Sequence, residues 1–213
     1  MTVTAPAPVL PALQIGNQRI ETPVVLAPMA GITNRAFRRL CRQYGDAGSD
    51  AAGVSGAGSL YVSEMITSRA LVERTPITMR LIEHDPDESP RSIQLYSVDP
   101  ATTAAAVRML VEEDRCDHID LNFGCPVPKV TRKGGGSALP WKTQWFRAIV
   151  AAAVREATPY GIPVTVKMRV GIDAEHHTYL EAGRIAEGEG AACVALHART
   201  ASQAYSGTAD WSR

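Results

Sequence analysis

Strand-like and helix-like segments alternate along this chain with a period of roughly thirty residues, and no other feature constrains the fold as much. Apolar runs at 24–29, 60–65, 92–97, 118–123, 163–170 and 192–198 read as strands, the first of them as a strand buried on both faces. Amphipathic stretches lie between them. Thr33 can cap a helix whose Ala36, Phe37, Leu40, Cys41 and Tyr44 share one face, with Gly45 as its stop. Asp99 and Pro100 open a second helix that turns Val107, Leu110 and Val111 inward. Further helices are expected after residue 65, at about 141–158 and at 175–189. Ahead of the first unit, 13–15 and 19–20 flank Gly16-Asn17, a hairpin signal. A strand feeding a helix at this spacing is a βα step of a parallel sheet, so the class is α/β.

Two architectures use such steps, and the polar residues choose between them. Glu64, Gln94, Asn122, Cys125, Lys167, Arg169, His197 and Arg199 stand at or just past the C-terminal ends of successive strands. Chemistry spread over many strand ends is the habit of a (β/α)₈ TIM barrel. A doubly wound sheet gathers it at one switch point, and no GxGxxG follows the first strand here. The expected fold is an incomplete TIM barrel of about six βα units over residues 13–213, behind a loose Ala/Pro/Thr-rich leader at 1–12. A complete barrel takes ~250 residues, so the chain reads as about two strands short.

Lys plus Arg number 22 and Asp plus Glu 22, a balance that argues against a purely electrostatic nucleic-acid binder but permits a local basic patch. No stretch approaches a membrane span, and the leader lacks the basic start of a signal peptide. The four cysteines form no CxxC pair and read as reduced thiols, so a cytoplasmic protein without a membrane or metal partner is expected. Cys41, Cys116 and Cys193 read as small core hydrophobes.

Cys125 differs from them. It follows a strand directly, and Gly124 and Pro126 shape a turn that presents its thiol at the barrel mouth. Thiols titrate near ~8.5 and stay mostly protonated at neutral pH, so a placed cysteine can act as general acid as well as nucleophile. Lys167 and Arg169 alternate on one strand, where two cations need an anion or a polar ligand; an ion pair with Glu64 or Asp120 is the structural alternative. His197 ends the last strand. Lys129, Arg132 and Lys133 beside Gly134-Gly135-Gly136 suggest a mobile basic loop over the site that can meet phosphates.

Taken together, APMAGITNRAFRRLC (27–41), SEMITSRAL (63–71), IQLYSVDP (93–100), DHIDLNFGCPVPKVTRKGGGSAL (117–139), PVTVKMRVG (163–171) and ALHARTASQAYSG (195–207) resemble the tRNA-dihydrouridine synthase family, most closely its bacterial DusB-type branch. The resemblance implies an FMN-bound TIM barrel that uses NADPH to reduce the C5=C6 bond of a uridine in tRNA. It implies that Pro28, Met29 and Ala30 lie under the flavin, that Gln94 and Lys167 contact its ring, and that His197 flanks it. Cys125 matches the family's proton donor to C5, Asn122 the residue that reads the uracil edge, and Arg169 a neighbour of that base. The sequence departs from the family at 46–58, which is longer than usual and is expected as a surface loop, and at Ala198, where glycine is usual. It also stops before the last strands and the family's helical C-terminal domain. A dihydroorotate dehydrogenase-like FMN oxidoreductase is the alternative enzyme, and an inactive truncated fragment the alternative outside catalysis.

Overall fold

The computed structural model describes residues 11–51 and 58–213. Of the expected leader, residues 1–10 lie outside the described residues. The hairpin forms as β1 (Leu13–Ile15) and β2 (Gln18–Ile20), and Gly16 supplies the left-handed φ of +58° at its turn. A parallel array follows in sequence order. It comprises β3 (Val25–Leu26), β4 (Leu60–Tyr61) with β5 (Ile66–Thr67), β6 (Ser92–Tyr96), β7 (His118–Phe123), β8 (Val164–Arg169) and β9 (Cys193–His197). The run at 60–65 is broken rather than continuous, and a bridge from Val62 to Ser92 joins its two halves to one array. Among the described residues the strands keep their sequence order and show no switch point, which goes against the doubly wound alternative. Among the described residues β3 and β9 do not pair, and the array is open rather than a closed barrel.

Among the described residues seven α-helices punctuate the strands: α1 (Arg35–Ala51), α2 (Ser68–Val72), α3 (Pro76–Leu81), α4 (Pro100–Glu112), α5 (Pro128–Thr131), α6 (Thr143–Ala157) and α7 (Tyr179–Gly188). None is long and apolar enough to cross a membrane. Asp99 caps α4 by accepting the Thr102 N–H at 2.7 Å, with Pro100 in the first turn, as the sequence suggested. Strand pleating then divides the side chains. Ile93, Leu95, Ile119, Leu121, Phe123, Val164, Val166 and Met168 join Leu110, Phe146, Ile149 and Val150 of the helices in the main core. Phe123 meets Phe146 edge-on at 4.6 Å. The alternate residues, Ser92, Gln94, His118, Asp120, Asn122, Thr165, Lys167 and Arg169, form the inner face.

The first βα unit departs from expectation. Residues 24–29 are not buried on both faces: only Val25 and Leu26 are strand, and Val24 is 56% exposed. Among the described residues β3 pairs with β4 alone. Asn34, not Thr33, caps α1, accepting the Phe37 N–H at 3.1 Å. Gly45 does not stop the helix, which continues to Ala51 and absorbs residues 46–51 of the expected surface loop; residues 52–57 of that loop lie outside the described residues. Gly45 instead makes room for Tyr61, whose hydroxyl would lie 2.4 Å from a Cβ there.

The apolar face expected for α1 is only partly buried, with Phe37 and Cys41 half-buried but Leu40 and Tyr44 exposed, while Arg38 and Arg42 are its buried residues. The cause is a set of carboxylates on the segment before β6. Arg38 makes a two-pronged pair with Glu88 at 2.6 and 3.2 Å, both side chains essentially sealed from water. Arg35 and Arg42 bind Asp85, and Arg42 also reaches Asp87. Those pairings, rather than hydrophobic burial, orient the helix.

Candidate active site

The C-terminal ends of the strands surround a pocket of about 520 Å³. The structure brings nine sequence-selected residues to its wall: Pro28, Met29, Ala30, Gln94, Asn122, Cys125, Lys167, Arg169 and His197. Glu64 and Arg199 stand outside that lining. Pro28, Met29 and Ala30 follow β3 as a ledge. Thr33 holds it, its hydroxyl accepting the Met29 N–H at 3.0 Å and donating to the Met29 carbonyl at 3.2 Å. Glu64 ties the same segment down by accepting the Gly31 N–H at 2.7 Å. That bond also answers the expected pairing of Glu64 with Lys167 or Arg169, which does not form among the described residues.

Asn122 organises the cysteine turn. Its Oδ1 accepts the N–H groups of Cys125 at 3.0 Å and Gly124 at 3.2 Å, so its carbonyl side is committed to the protein. Its Nδ2 donates to Gln94 Oε1 at 2.9 Å, leaving one N–H for a ligand. From Gln94 the chain of hydrogen bonds runs inward. Gln94 Nε2 donates to Asp120 at 2.6 Å, and the Thr165 hydroxyl donates to the other Asp120 oxygen at 2.6 Å. His118 Nε2 then donates to Thr165 Oγ1 at 3.0 Å, and the Ser92 hydroxyl donates to His118 Nδ1 at 2.7 Å. Donor direction follows from Asp120, because an ionised carboxylate only accepts.

Burial perturbs this relay in opposite directions. It pushes His118 down to about 4 and Asp120 up to about 6, the latter opposed by the Thr165 and Gln94 hydrogen bonds and by the Lys167 charge. The imidazole is therefore neutral and the carboxylate ionised at pH 7. His118 makes stability rise with pH between about 4 and its ordinary 6.5, because the unfolded chain there binds the extra proton. Asp120 makes stability fall between its ordinary 3.8 and about 6, because the folded state binds it. The slopes oppose. In His118→Gln only the Asp120 slope remains, so stability relative to the parent drops by up to about 1.4 kcal/mol per pH unit across that window. Urea unfolding at both ends of the window checks this, and equal pH slopes for variant and parent would contradict it.

Lys167 is half-buried, and among the described residues no hydrogen bond or ion pair holds its ammonium; burial pushes its pKa down while Asp120 pushes it up. Arg169 is no ion-pair partner either. It donates to the carbonyls of Gly124, Thr200 and Ala204 at 2.9, 3.0 and 2.8 Å, tying the cysteine turn to the segment after β9. Burial, joined by the neighbouring cations Arg169, Lys167 and Arg199, pushes His197 down to about 4, so it serves as a neutral ring. Sequence reasoning missed Tyr205, an exposed pocket residue whose ring centroid lies 5.5 Å from the Arg169 guanidinium carbon. It also missed the relay member His118. Their signal was present only as polar residues at alternate strand positions and as an aromatic in a polar loop.

Two glycines of the run are packed against the fold rather than open to solvent. Gly135 and Gly136 are buried because other groups occupy the space of their missing side chains. A Cβ on Gly135 would meet the Tyr96 hydroxyl at 2.4 Å, and one on Gly136, whose φ is +54°, would meet the Cys125 carbonyl oxygen at the same distance. That carbonyl also accepts the Ser137 N–H at 3.0 Å. Gly136→Ala thus forces the cysteine turn to move and adds ~1–2 kcal/mol of backbone strain. The variant should therefore unfold at a lower temperature than the parent. Parent-like thermal stability in the variant would refute the close approach.

The chain matches the Dihydrouridine synthase (Dus) family over residues 25–213. It is 64% identical over 201 residues to a probable tRNA-dihydrouridine synthase of Mycobacterium tuberculosis strain H37Rv, covering 94% of this chain and 50% of the relative. A protein of the same description from Mycobacterium leprae is 58% identical over 203 residues, covering 89% of this chain and 53% of the relative. The tRNA-dihydrouridine synthase B of Shewanella oneidensis is 36% identical over 199 residues, covering 93% and 57%. The chain spans about half the length of the curated relatives it matches.

Proposed function

Since this chain belongs to the dihydrouridine synthase family, we propose that it forms most of the barrel of a flavin-dependent reductase that converts uridine in tRNA to dihydrouridine. The open array is read as six of the eight units of a TIM barrel, spanning 13–213, in a protein of the cytoplasm. FMN is the proposed resident group and NADPH the proposed reductant, with no metal and no membrane partner. The observation that carries the reading is the pocket that joins a turn-mounted thiol, Cys125, to an ammonium without a partner, Lys167, above an apolar ledge.

Those residues suit a flat, polar-edged ring. The 28–30 ledge offers apolar backing, and Gln94 has one N–H free after its bond to Asp120. Lys167 would offer positive charge to the negative charge that develops on a bound ring. When bound, the flavin supplies the hydride equivalent that reaches uracil C6. The remaining work is the protein's. The Cys125 S–H bond breaks as its proton passes to uracil C5, and solvent returns a proton to the thiolate. The free Asn122 N–H donates to a uracil carbonyl, holding an extruded base in register with the thiol. Neutral His197 and the clamped Arg169 also line the pocket and would offer N–H groups to the polar edges of a bound ring.

Reconstitution with FMN tests the reading. NADPH should bleach the flavin, and unmodified tRNA should then restore its colour while its uridines gain a pair of hydrogens by mass spectrometry. Turnover of orotate without turnover of tRNA would instead support the dihydroorotate dehydrogenase-like reading.

A further inference from the structure

Beside the reaction pocket lies a second groove, of about 590 Å³, between the segment 131–142 and the loop after β8. Nothing in the proposed reaction uses it. Arg132, Lys133 and Lys142 line it, and among the described residues none of the three is engaged in an ion pair. Gly134, at φ +77°, leaves the space that the Lys142 ammonium occupies; a Cβ there would lie 2.8 Å from Nζ. The one carboxylate in the lining, Asp173, is already taken by His176 Nδ1 at 2.6 Å and by the N–H groups of Glu175 and His176. Trp141 is 55% exposed, with the His176 ring edge-on to it at 5.2 Å. Helix α6 starts beside them with no side-chain cap and no acidic residue in its first turn, so its positive end adds to the cations.

Uncompensated positive charge beside an open indole face matches one chemistry, a phosphate carrying an unstacked base. We propose that this groove seats the RNA nucleotide adjacent to the reacting uridine, with phosphate at Lys133 and Lys142 and base on Trp141. The inference rests on the RNA reading of the reaction pocket. Two features favour RNA over a free nucleotide. Groove and pocket share one chain segment, because Ser137 N–H is bound to the Cys125 carbonyl and the same stretch leads to Trp141. Extruding a base from a strand also strips its neighbours of their stacking partners, and an aromatic platform replaces that stacking.

Titration of a short single-stranded oligoribonucleotide into the full chain, followed by tryptophan fluorescence, tests this. Saturable quenching is expected. Trp141→Leu should lose most of the quench and weaken binding by ~10-fold or more. The double variant Lys133→Gln/Lys142→Gln should flatten the slope of log affinity against log salt by about 0.7, the value for one lost phosphate contact on a single strand. Both variants change exposed side chains outside the reaction pocket and should bind FMN as the parent does. Parent-like RNA affinity in Trp141→Leu overturns the subsite while leaving the RNA reading intact. Competition by NADP⁺ for the quench, lost in Trp141→Leu, assigns the groove to the dinucleotide and also overturns it. A parent chain that binds FMN but no RNA removes this inference and the tRNA reading together.

Discussion

Cys125→Ala should lower dihydrouridine formation by ~10²–10⁴-fold while the variant still binds FMN and still accepts reducing equivalents from NADPH. The selectivity follows from how the turn is held. Its hydrogen bonds use the N–H groups of Gly124 and Cys125 and the Cys125 carbonyl, and none involves the thiol. Alanine keeps every one of them, so the pocket, the ledge and the Lys167 ammonium stay in place. What disappears is the proton proposed for uracil C5. Stopped-flow measurement separates the steps: flavin bleaching by NADPH should match the parent, and reoxidation by tRNA should not. If bleaching slows to the same extent as reoxidation, Cys125 shapes the flavin site and the proton-donor role is wrong.

Arg38→Met should destabilise the fold by ~3–5 kcal/mol, because Glu88 then remains charged and buried without its partner. Arg38 also donates to the carbonyls of Thr33 and Glu83, so it joins α1, the ledge support and the segment before β6. Thr33 in turn grips both the N–H and the carbonyl of Met29. Loss of Arg38 should therefore loosen the Pro28–Met29–Ala30 ledge and weaken flavin binding along with stability. Arg38→Met/Glu88→Leu should recover most of the unfolding free energy, since a buried ion pair replaced whole by apolar groups costs little. Chemical denaturation of the two variants decides the matter. If the double variant is as unstable as the single one, the carbonyl contacts of Arg38 matter more than its charge pairing.

The period-two alternation of β6, β7 and β8 was legible in the sequence, because strand geometry alone sends successive side chains to opposite faces. So were the strand-end positions of Asn122 and His197 and the Gly124–Pro126 frame around Cys125, since each depends on residues next to it in the chain; Gln94 and Lys167 instead sit within β6 and β8. Three features were not legible. The relay from Ser92 through His118, Thr165, Asp120 and Gln94 to Asn122 needs the register of three strands, which no single segment specifies. The orientation of α1 was misread because hydrophobic periodicity points to Leu40 and Tyr44, whereas the carboxylates that capture Arg38 and Arg42 lie more than forty residues away. The glycines at 135 and 136 looked mobile because glycine permits motion. Tyr96 and the Cys125 carbonyl, brought against them by the fold, make those positions places of closest approach instead. Local geometry is written in neighbouring residues, while the partners of a buried charge, an amide or a missing side chain come from distant segments and are decided only when those segments pack.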